Sequence, residues 1–230
     1  GKPAKKIIDA IRETGEFSVE AWIQPANTKQ DGPARIVTLS KDSQERNFTL
    51  GQDGNQFDVR FRTSKTGRNG MPSLSSPGNG LTTSPTHVVF TRSRDGKGRL
   101  FLDGRQRGER GFSGDTKNWN QGFQFALANE LSNDRPWQGT FYLVAIYKRA
   151  LKPNEITKHF EAGPGTKIEV AKKPEPKPEP ELVGDPNIPR TGNGLQVLYD
   201  FAKAGSSTIF DRAGRGKPID LKIQNMNAVR

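Results

Sequence analysis

Side chains that could catalyse a reaction are few in this sequence. It contains no cysteine, which excludes disulfides, cysteine nucleophiles and thiolate metal ligands. Its only histidines are His87 and His159, and neither stands in a serine, acidic or histidine pattern that suggests a catalytic triad or a zinc site. We expect His87, which opens an apolar strand, to be packed and hydrogen-bonded. We expect His159 to lie near a helix C-terminus, where a partly cationic imidazole is favourable.

Paired carboxylates about 5 to 9.5 Å apart would be needed if the chain cleaved glycosidic bonds. Within residues 17–25 the only acidic side chain is Glu20. Asp58 could face it from another strand, although such pairs more often belong to a charged surface. We therefore predict a non-catalytic protein. Glycoside hydrolysis is a remote alternative, which a loss of activity in Glu20→Gln would support.

Arginines are the strongest candidates for ligand binding. Arg60 and Arg62 lie on the polar side of an alternating segment, and Arg92 and Arg94 follow Phe90 in the strand that begins at His87. If the two strands are neighbours, the guanidinium groups form a stripe that could bind sulfate, carboxylate or phosphate. The alternative is a solvated charged face.

The charge balance also favours anionic partners. Lys and Arg number 36 against 25 Asp and Glu, a formal net charge of +11. Nucleic acid is the least favoured of these partners, because it prefers exposed aromatic residues among the basic ones. Here most aromatic residues occupy alternating core positions.

Two tryptophans, Trp119 in DTKNWNQG and Trp137 in NDRPWQG, lie among Asn, Asp and Gly residues. An aromatic face can pack on the C–H side of a pyranose while amides bind its hydroxyl groups, so both are candidates for sugar binding. The alternative is a loop anchored to the core by one large side chain. Trp137 is the weaker candidate, because it leads directly into residues 139–147.

The elements that must position these residues are mostly short strands. Period-two alternation begins at Phe17 and ends at Pro25. Short segments separated by Gly, Asn, Asp and Pro are typical of a β-sandwich. Helices are predicted over residues 4–14, with Gly15 as the stop, and from Pro153. The other predicted strands are residues 35–39, 47–50, 56–62, 87–92, 99–102, 123–128 and 139–147.

Three of these strands resemble those of the laminin-G-like, concanavalin A-like jelly-roll domains of secreted proteins. FSVEAWI at 17–23 resembles a Phe-x-x-x-x-Trp strand, and GRLFLDG at 98–104 resembles a Leu-Tyr-Val-Asp-Gly hairpin strand. HVVF at 87–90 resembles the strand of the Trp-x-His-Val pattern, although Thr86 stands where the family has tryptophan.

The end of the region resembles the same family, which closes with a strand, a Leu-Ser-x-x-Glu-Ile turn of helix and a glycine. Leu151, Glu155, Ile156 and Gly163 match. Lys152 replaces the serine N-cap, so we expect a cap that contributes roughly 1 kcal/mol to be missing. The resemblance covers residues 17–163. It implies an all-β fold, a two-sheet antiparallel jelly-roll β-sandwich with short helices.

The resemblance also raises the question of calcium, because related domains often hold it in an oxygen-rich shell at the loop rim. The candidates here are Asp53, Asn55 and Asp134. The Asp-Gly pairs at 53–54, 95–96 and 103–104 are favoured as tight hairpin turns instead. Some enzymes on this scaffold place Glu-x-Asp-x-x-Glu on one strand, and residues 17–25 lack that motif.

Residues 164–194 differ from the rest. KKPEPKPEPE at 172–181 alternates proline with charge and is expected to be an extended spacer of about 30 Å. Residues 195–230 resemble the family's opening strands, which residues 1–163 lack. Three alternatives follow: the tail completes its own domain as a circular permutation, completes a neighbouring copy, or begins a second, truncated domain.

We therefore predict a non-catalytic extracellular binding module that is secreted, periplasmic or cell-surface and has no membrane span. Its expected partner is a carbohydrate, including acidic glycans, or an extracellular protein. The alternative is an assembly module that associates with itself through residues 195–230.

Overall fold

The computed structural model describes residues 1–165, 193–201, 208–214 and 217–222. The spacer at 172–181 lies outside the described residues. The helices are α1 (Lys5–Thr14) and α2 (Pro153–Ala162). The strands are β1 (Phe17–Pro25), β2 (Gln30–Ser40), β3 (Arg46–Gly54), β4 (Gln56–Phe61), β5 (Leu74–Ser75), β6 (Thr86–Arg92), β7 (Lys97–Leu102), β8 (Arg105–Gly111), β9 (Gln124–Leu127), β10 (Gly139–Tyr147), β11 (Leu195–Asp200), β12 (Thr208–Ile209) and β13 (Leu221–Lys222).

Two antiparallel sheets form the sandwich. The six-stranded sheet has the order β11-β10-β1-β6-β7-β8, and the five-stranded sheet has the order β5-β4-β3-β2-β9. The two-sheet prediction is confirmed. All the predicted strands are present, because alternating apolar residues place one face of each strand in the core. Sequence reasoning missed β8, whose segment RQRGERG has no apolar residue.

The main core lies between the sheets. Phe17 from β1, Phe48 from β3 and Phe61 from β4 pack together, with ring centroids 4.7 Å and 5.7 Å from Phe17. Burying side chains of this size contributes roughly 1.5 to 3 kcal/mol each. The inner faces of the two sheets are therefore largely apolar.

Helix α1 closes one side of the core. Ile7, Ile8 and Ile11 are buried in it, as the spacing predicts, and Gly15 ends the helix in the left-handed conformation at φ 68°. The Thr116 hydroxyl donates to the Ile11 carbonyl over 2.8 Å. These contacts hold the helix against the sandwich.

Helix α2 covers the outer face of the six-stranded sheet. Ile156 packs in a second apolar cluster with Trp22, Val89 and Leu143. The N-cap residue is Lys152, and its side chain makes no cap hydrogen bond, as the sequence predicts. Instead, the Glu155 carboxylate accepts from the Lys152 backbone N–H over 2.9 Å and from both terminal nitrogens of Arg149 over 2.7 Å. With ten residues each, neither described helix is long or apolar enough to span a membrane.

The tail joins the six-stranded sheet at its edge. β11 pairs with β10 in an antiparallel ladder that runs from Leu143–Asp200 to Tyr147–Leu195. Val197 and Tyr199 are buried in the main core. An ion pair of 3.0 Å joins Lys6 on α1 to Asp211.

Candidate functional site

The outer face of the five-stranded sheet is polar. Phe57, Val59 and Phe61 of β4 point into the core, so Asp58 and Arg60 point outward. A register shift in the β2–β3 ladder places Arg46 opposite Ser40. The Arg46 guanidinium lies near the charges of Asp58 and Arg60 on this face. We call the group Arg35, Arg46, Asp58, Arg60 and Glu130 the arginine face.

Two ion pairs organise the arginine face. Arg35 Nε lies 2.8 Å from the Glu130 carboxylate, and both side chains are buried. Arg60 Nε lies 3.0 Å from Asp58, which also accepts from the Ser75 hydroxyl over 3.1 Å. Each carboxylate of the face is thus bound to an arginine of the same face.

Arg46 is different, because among the described residues it has no ion-pair partner. Its side chain is 0% exposed, one nitrogen donates to the Ser43 carbonyl, and Nε and Nη1 have no hydrogen-bond partner. Burial, together with the nearby charges of Arg35 and Arg60, lowers the pKa of the Arg46 guanidinium to about 10. At neutral pH the group is therefore a buried cation.

The four predicted arginines do not form one stripe. Arg60 belongs to the arginine face and Arg62 follows it at the end of β4, whereas Arg92 and Arg94 belong to β6 and its turn in the other sheet. Arg62 is partly buried, and desolvation lowers the pKa of its guanidinium. The prediction of one continuous arginine stripe was wrong, because β4 and β6 lie in different sheets.

Arg92 is a structural residue. Its guanidinium donates to the carbonyls of Phe112 over 2.9 Å, of Gly114 over 2.5 Å and of Gly15, and it lies over the Phe61 ring. A side chain buried among backbone carbonyls presents no donor to a surface ligand, so the binding role predicted for Arg92 is corrected. Arg94 is exposed in the β6–β7 turn.

The two candidate tryptophans lie in the core. Trp119 is 2% exposed and its Nε1 donates to the Arg62 carbonyl over 2.7 Å. Trp137 is 1% exposed and its Nε1 donates to the Gln52 side chain over 2.9 Å. A buried ring cannot stack on a sugar, so the alternative of a loop anchored by one large side chain applies to both.

The calcium candidates lie in two separate loops. Asp53 and Asn55 flank the β3–β4 turn, where Gly54 has φ 57° and Asn55 donates to the Asn79 side chain over 2.6 Å. Asp134 accepts from the Ser132 hydroxyl over 2.6 Å and lies 3.5 Å from Arg135. Within the described ranges, no group of three or more His, Cys, Asp or Glu side chains could hold a metal ion.

A second polar cluster lies beneath α2. Glu20 Oε1 is 3.1 Å from His87 Nε2, and Glu20 Oε2 is 2.9 Å from His159 Nδ1. The Tyr147 hydroxyl donates to the same carboxylate over 3.2 Å. All four side chains are buried. The hydrogen-bonded His87 was expected, but the convergence of both histidines on one carboxylate was missed.

The position of Glu20 in this cluster also excludes a catalytic pair formed by Glu20 and Asp58. Glu20 lies on the outer face of the six-stranded sheet, and Asp58 lies on the outer face of the five-stranded sheet. Two stacked sheets, about 10 Å apart, separate the carboxylates. They cannot flank one glycosidic bond.

Comparison with known families identifies the domain. The family model described as the concanavalin A-like lectin/glucanases superfamily matches residues 5–157. The chain belongs to this superfamily. The matched region runs from α1 into α2 and does not include the tail that forms β11. No curated protein sequence matches the chain.

Solved structures with the same fold include binding proteins of several kinds. A candidate carbohydrate binding protein from Bacteroides ovatus has a TM-score of 0.54 at 14% identity and covers 91% of this chain, although the chain covers only 54% of that protein. The CBM40 of Ruminococcus gnavus IT-sialidase, bound to α2,3-sialyllactose, has a TM-score of 0.54 at 13% identity, with 68% of this chain and 90% of that one covered. A heptameric SAP-like pentraxin from Limulus polyphemus has a TM-score of 0.51 at 13% identity, with 65% and 71% covered. At these identities the likeness shows the fold alone.

Proposed function

We propose that this domain is a non-catalytic carbohydrate-binding module, and that it binds acidic glycans on the outer face of the five-stranded sheet. The observation that favours this face is its excess of guanidinium groups over carboxylates. Arg60 on this face and Arg62 just beyond the end of β4 are both partly exposed. Guanidinium groups suit the carboxylates and sulfates of such glycans.

The superfamily membership supports this proposal. The solved structures that share the fold of this chain include carbohydrate-binding and lectin-like domains. The absence of catalysis is part of the proposal, and it is supported by the separation of Glu20 from Asp58. We further propose a secreted, periplasmic or cell-surface location, with an extracellular protein as the alternative partner.

Binding to a panel of neutral, sulfated and uronic-acid polysaccharides would test this function. The salt concentration should be about 0.15 M, where weak charge attraction is already screened. We expect saturable binding that is lost in Arg60→Ala/Arg62→Ala. The matched control is Arg105→Ala/Arg107→Ala, which removes two exposed charges from β8.

Two outcomes would contradict the proposed function. Equal loss in both double variants would show charge attraction without a site. Absence of binding to every polysaccharide would favour the assembly role instead. A calcium arm and a chelator arm should be included, since sensitivity to chelator would support a site at Asp53, Asn55 or Asp134.

We also propose that the tail, residues 195–230, completes the sandwich of its own chain, as a circular permutation of the family order. The pairing of β11 with β10 supports this, together with the burial of Val197 and Tyr199. The same contacts made to a second copy would give the assembly module.

A further inference from the structure

The charges of the arginine face do not balance. Three guanidinium groups, those of Arg35, Arg46 and Arg60, share it with only two carboxylates. Glu130 is bound to Arg35 and Asp58 is bound to Arg60. The third, Arg46, has no carboxylate within ion-pair distance among the described residues, although the Asp42 carboxylate in the neighbouring turn interacts with it electrostatically.

Arg46 is fully buried, as Arg35 is. A buried ion is costly unless it is paired and its hydrogen-bonding groups are satisfied. Arg46 satisfies neither condition, since Nε and Nη1 have no partner. An anion that accepted hydrogen bonds from these nitrogens would supply the missing charge and the missing acceptors.

The segment beside Arg46 is held by hydrogen bonds to Asp42 within the turn and by one exposed ion pair. The β2–β3 turn, residues 41–45, touches the guanidinium through the Ser43 carbonyl. Glu45 of this turn forms an ion pair of 3.0 Å with Arg68, whose side chain is 76% exposed. Ion pairs in such exposed positions stabilise little. Opening this pair would release Glu45 from Arg68, while the hydrogen bonds from the Gln44 and Glu45 N–H groups to the Asp42 carboxylate keep the turn folded.

We propose that Arg46 is the anchor for an oxyanion, a carboxylate or sulfate of an acidic saccharide, which reaches its free nitrogens when the Glu45–Arg68 pair opens. The proposal rests on the carbohydrate-binding function above. Arg60 and Arg62 then bind the outer part of the same ligand. The Arg46 site gives the face a preference for anionic over neutral sugars.

The test uses the full chain with inorganic sulfate and with glucuronate as probes, at an ionic strength held constant with chloride. The readouts are the thermal midpoint and the NMR signal of the Arg46 side-chain Nε–H, assigned by its loss in Arg46→Gln. We expect both probes to raise the midpoint and shift this signal saturably. If only one probe does so, the anchor is selective for sulfate or for carboxylate.

Two variants decide whether Arg46 is the anchor. Arg46→Gln should abolish the anion-dependent rise of the midpoint, whereas Arg107→Gln on β8 should retain it. Arg68→Ala keeps Arg46 and removes the exposed pair, so we expect it to tighten sulfate binding by about two- to fivefold. An unchanged sulfate effect in Arg46→Gln, or weaker binding in Arg68→Ala, would overturn the proposal.

Failure of the anchor differs from failure of the proposed function. In one outcome, polysaccharide binding depends on Arg60 and Arg62 while the effect of sulfate is the same with and without Arg46. That result would support the carbohydrate-binding function and contradict the Arg46 anchor. If sulfate binds at Arg46 while no polysaccharide binds, the oxyanion site stands and the carbohydrate function is wrong.

Discussion

The Glu20 carboxylate on β1 lies 2.9 Å from Nδ1 of His159 on α2. This contact joins the helix to the sheet beneath it, since the other carboxylate oxygen is bound to His87 on β6. Trp22 stacks on both His87 and Phe160, at 5.0 Å and 5.7 Å, and so encloses the cluster. A polar group in this position fixes how α2 sits on the sheet.

Glu20→Gln should therefore destabilise the domain. The substitution keeps the shape of the side chain but removes the charge to which two buried imidazoles are bound. We expect the free energy of unfolding at pH 7, measured in urea, to fall by about 2 to 4 kcal/mol. Glu161→Gln, an exposed change on the same helix, is the control. Equal stability of the two variants would contradict a structural role for the cluster.

The Glu155 carboxylate should make stability depend on acid pH. Its hydrogen bonds from Arg149, with that of the Lys152 N–H, lower the pKa of the carboxyl to about 2, below the unfolded value of roughly 4.3. The contribution is thus complete above about pH 4.3 and is lost as the pH falls through 2.

In Glu155→Gln we expect a loss of about 1 to 2 kcal/mol at pH 7, reduced by partial solvent exposure, and almost none at pH 2. Urea unfolding from pH 2 to 7 measures this difference. The Glu161→Gln variant, an exposed change on the same helix, is the matched control and should differ from the parent by less than about 0.5 kcal/mol at pH 7. A constant Glu155→Gln difference would show that the ion pair does not titrate.

The strands could be predicted from the sequence because alternation of apolar residues and turn residues are properties of short segments of the chain. In β1 and β4 each inward residue is apolar, and the turns at Asp95-Gly96 and Asp103-Gly104 have glycines with positive φ. The edge strand β8 was not predicted. Its backbone hydrogen bonds with β7 define it, while its side chains are mostly exposed and charged.

The polar clusters could not be predicted, because they depend on contacts between distant residues. Glu20, His87 and His159 come from two strands and a helix, and no spacing links them. The bulge that places Arg46 opposite Ser40 appears only in the β2–β3 register. The sugar-binding role predicted for Trp119 and Trp137 was wrong for a related reason. Each tryptophan lies in a polar segment of sequence, but its ring is buried in the core.

Trp119→Phe should separate stability from binding. The change removes the hydrogen bond to the Arg62 carbonyl and part of a buried ring, so we expect a loss of about 1 to 2 kcal/mol in unfolding free energy. Polysaccharide affinity of the folded protein should change less than twofold. Arg60→Ala/Arg62→Ala should show the reverse pattern. A Trp119→Phe protein that kept its full stability but lost polysaccharide binding would show that Trp119 contributes to the ligand site.

Val197→Ala tests whether the tail belongs to the domain. Val197 lies in the main core, so the truncation should lower the unfolding free energy by roughly 2 kcal/mol. All three tryptophans, at positions 22, 119 and 137, lie outside the tail and report on the body alone. We therefore expect the tryptophan fluorescence transition in urea to shift in Val197→Ala.

Phe210→Ala is the matched control, because it truncates a tail side chain that is 58% exposed and should shift the transition by less than about 0.5 kcal/mol. If the tail began a separate domain, Val197→Ala would leave the body transition where it was. The dependence on protein concentration separates the remaining cases. A midpoint independent of concentration, with a monomer by light scattering, means that β11 pairs within its own chain. A midpoint that rises with concentration means that a second copy supplies the strand, because association stabilises by mass action.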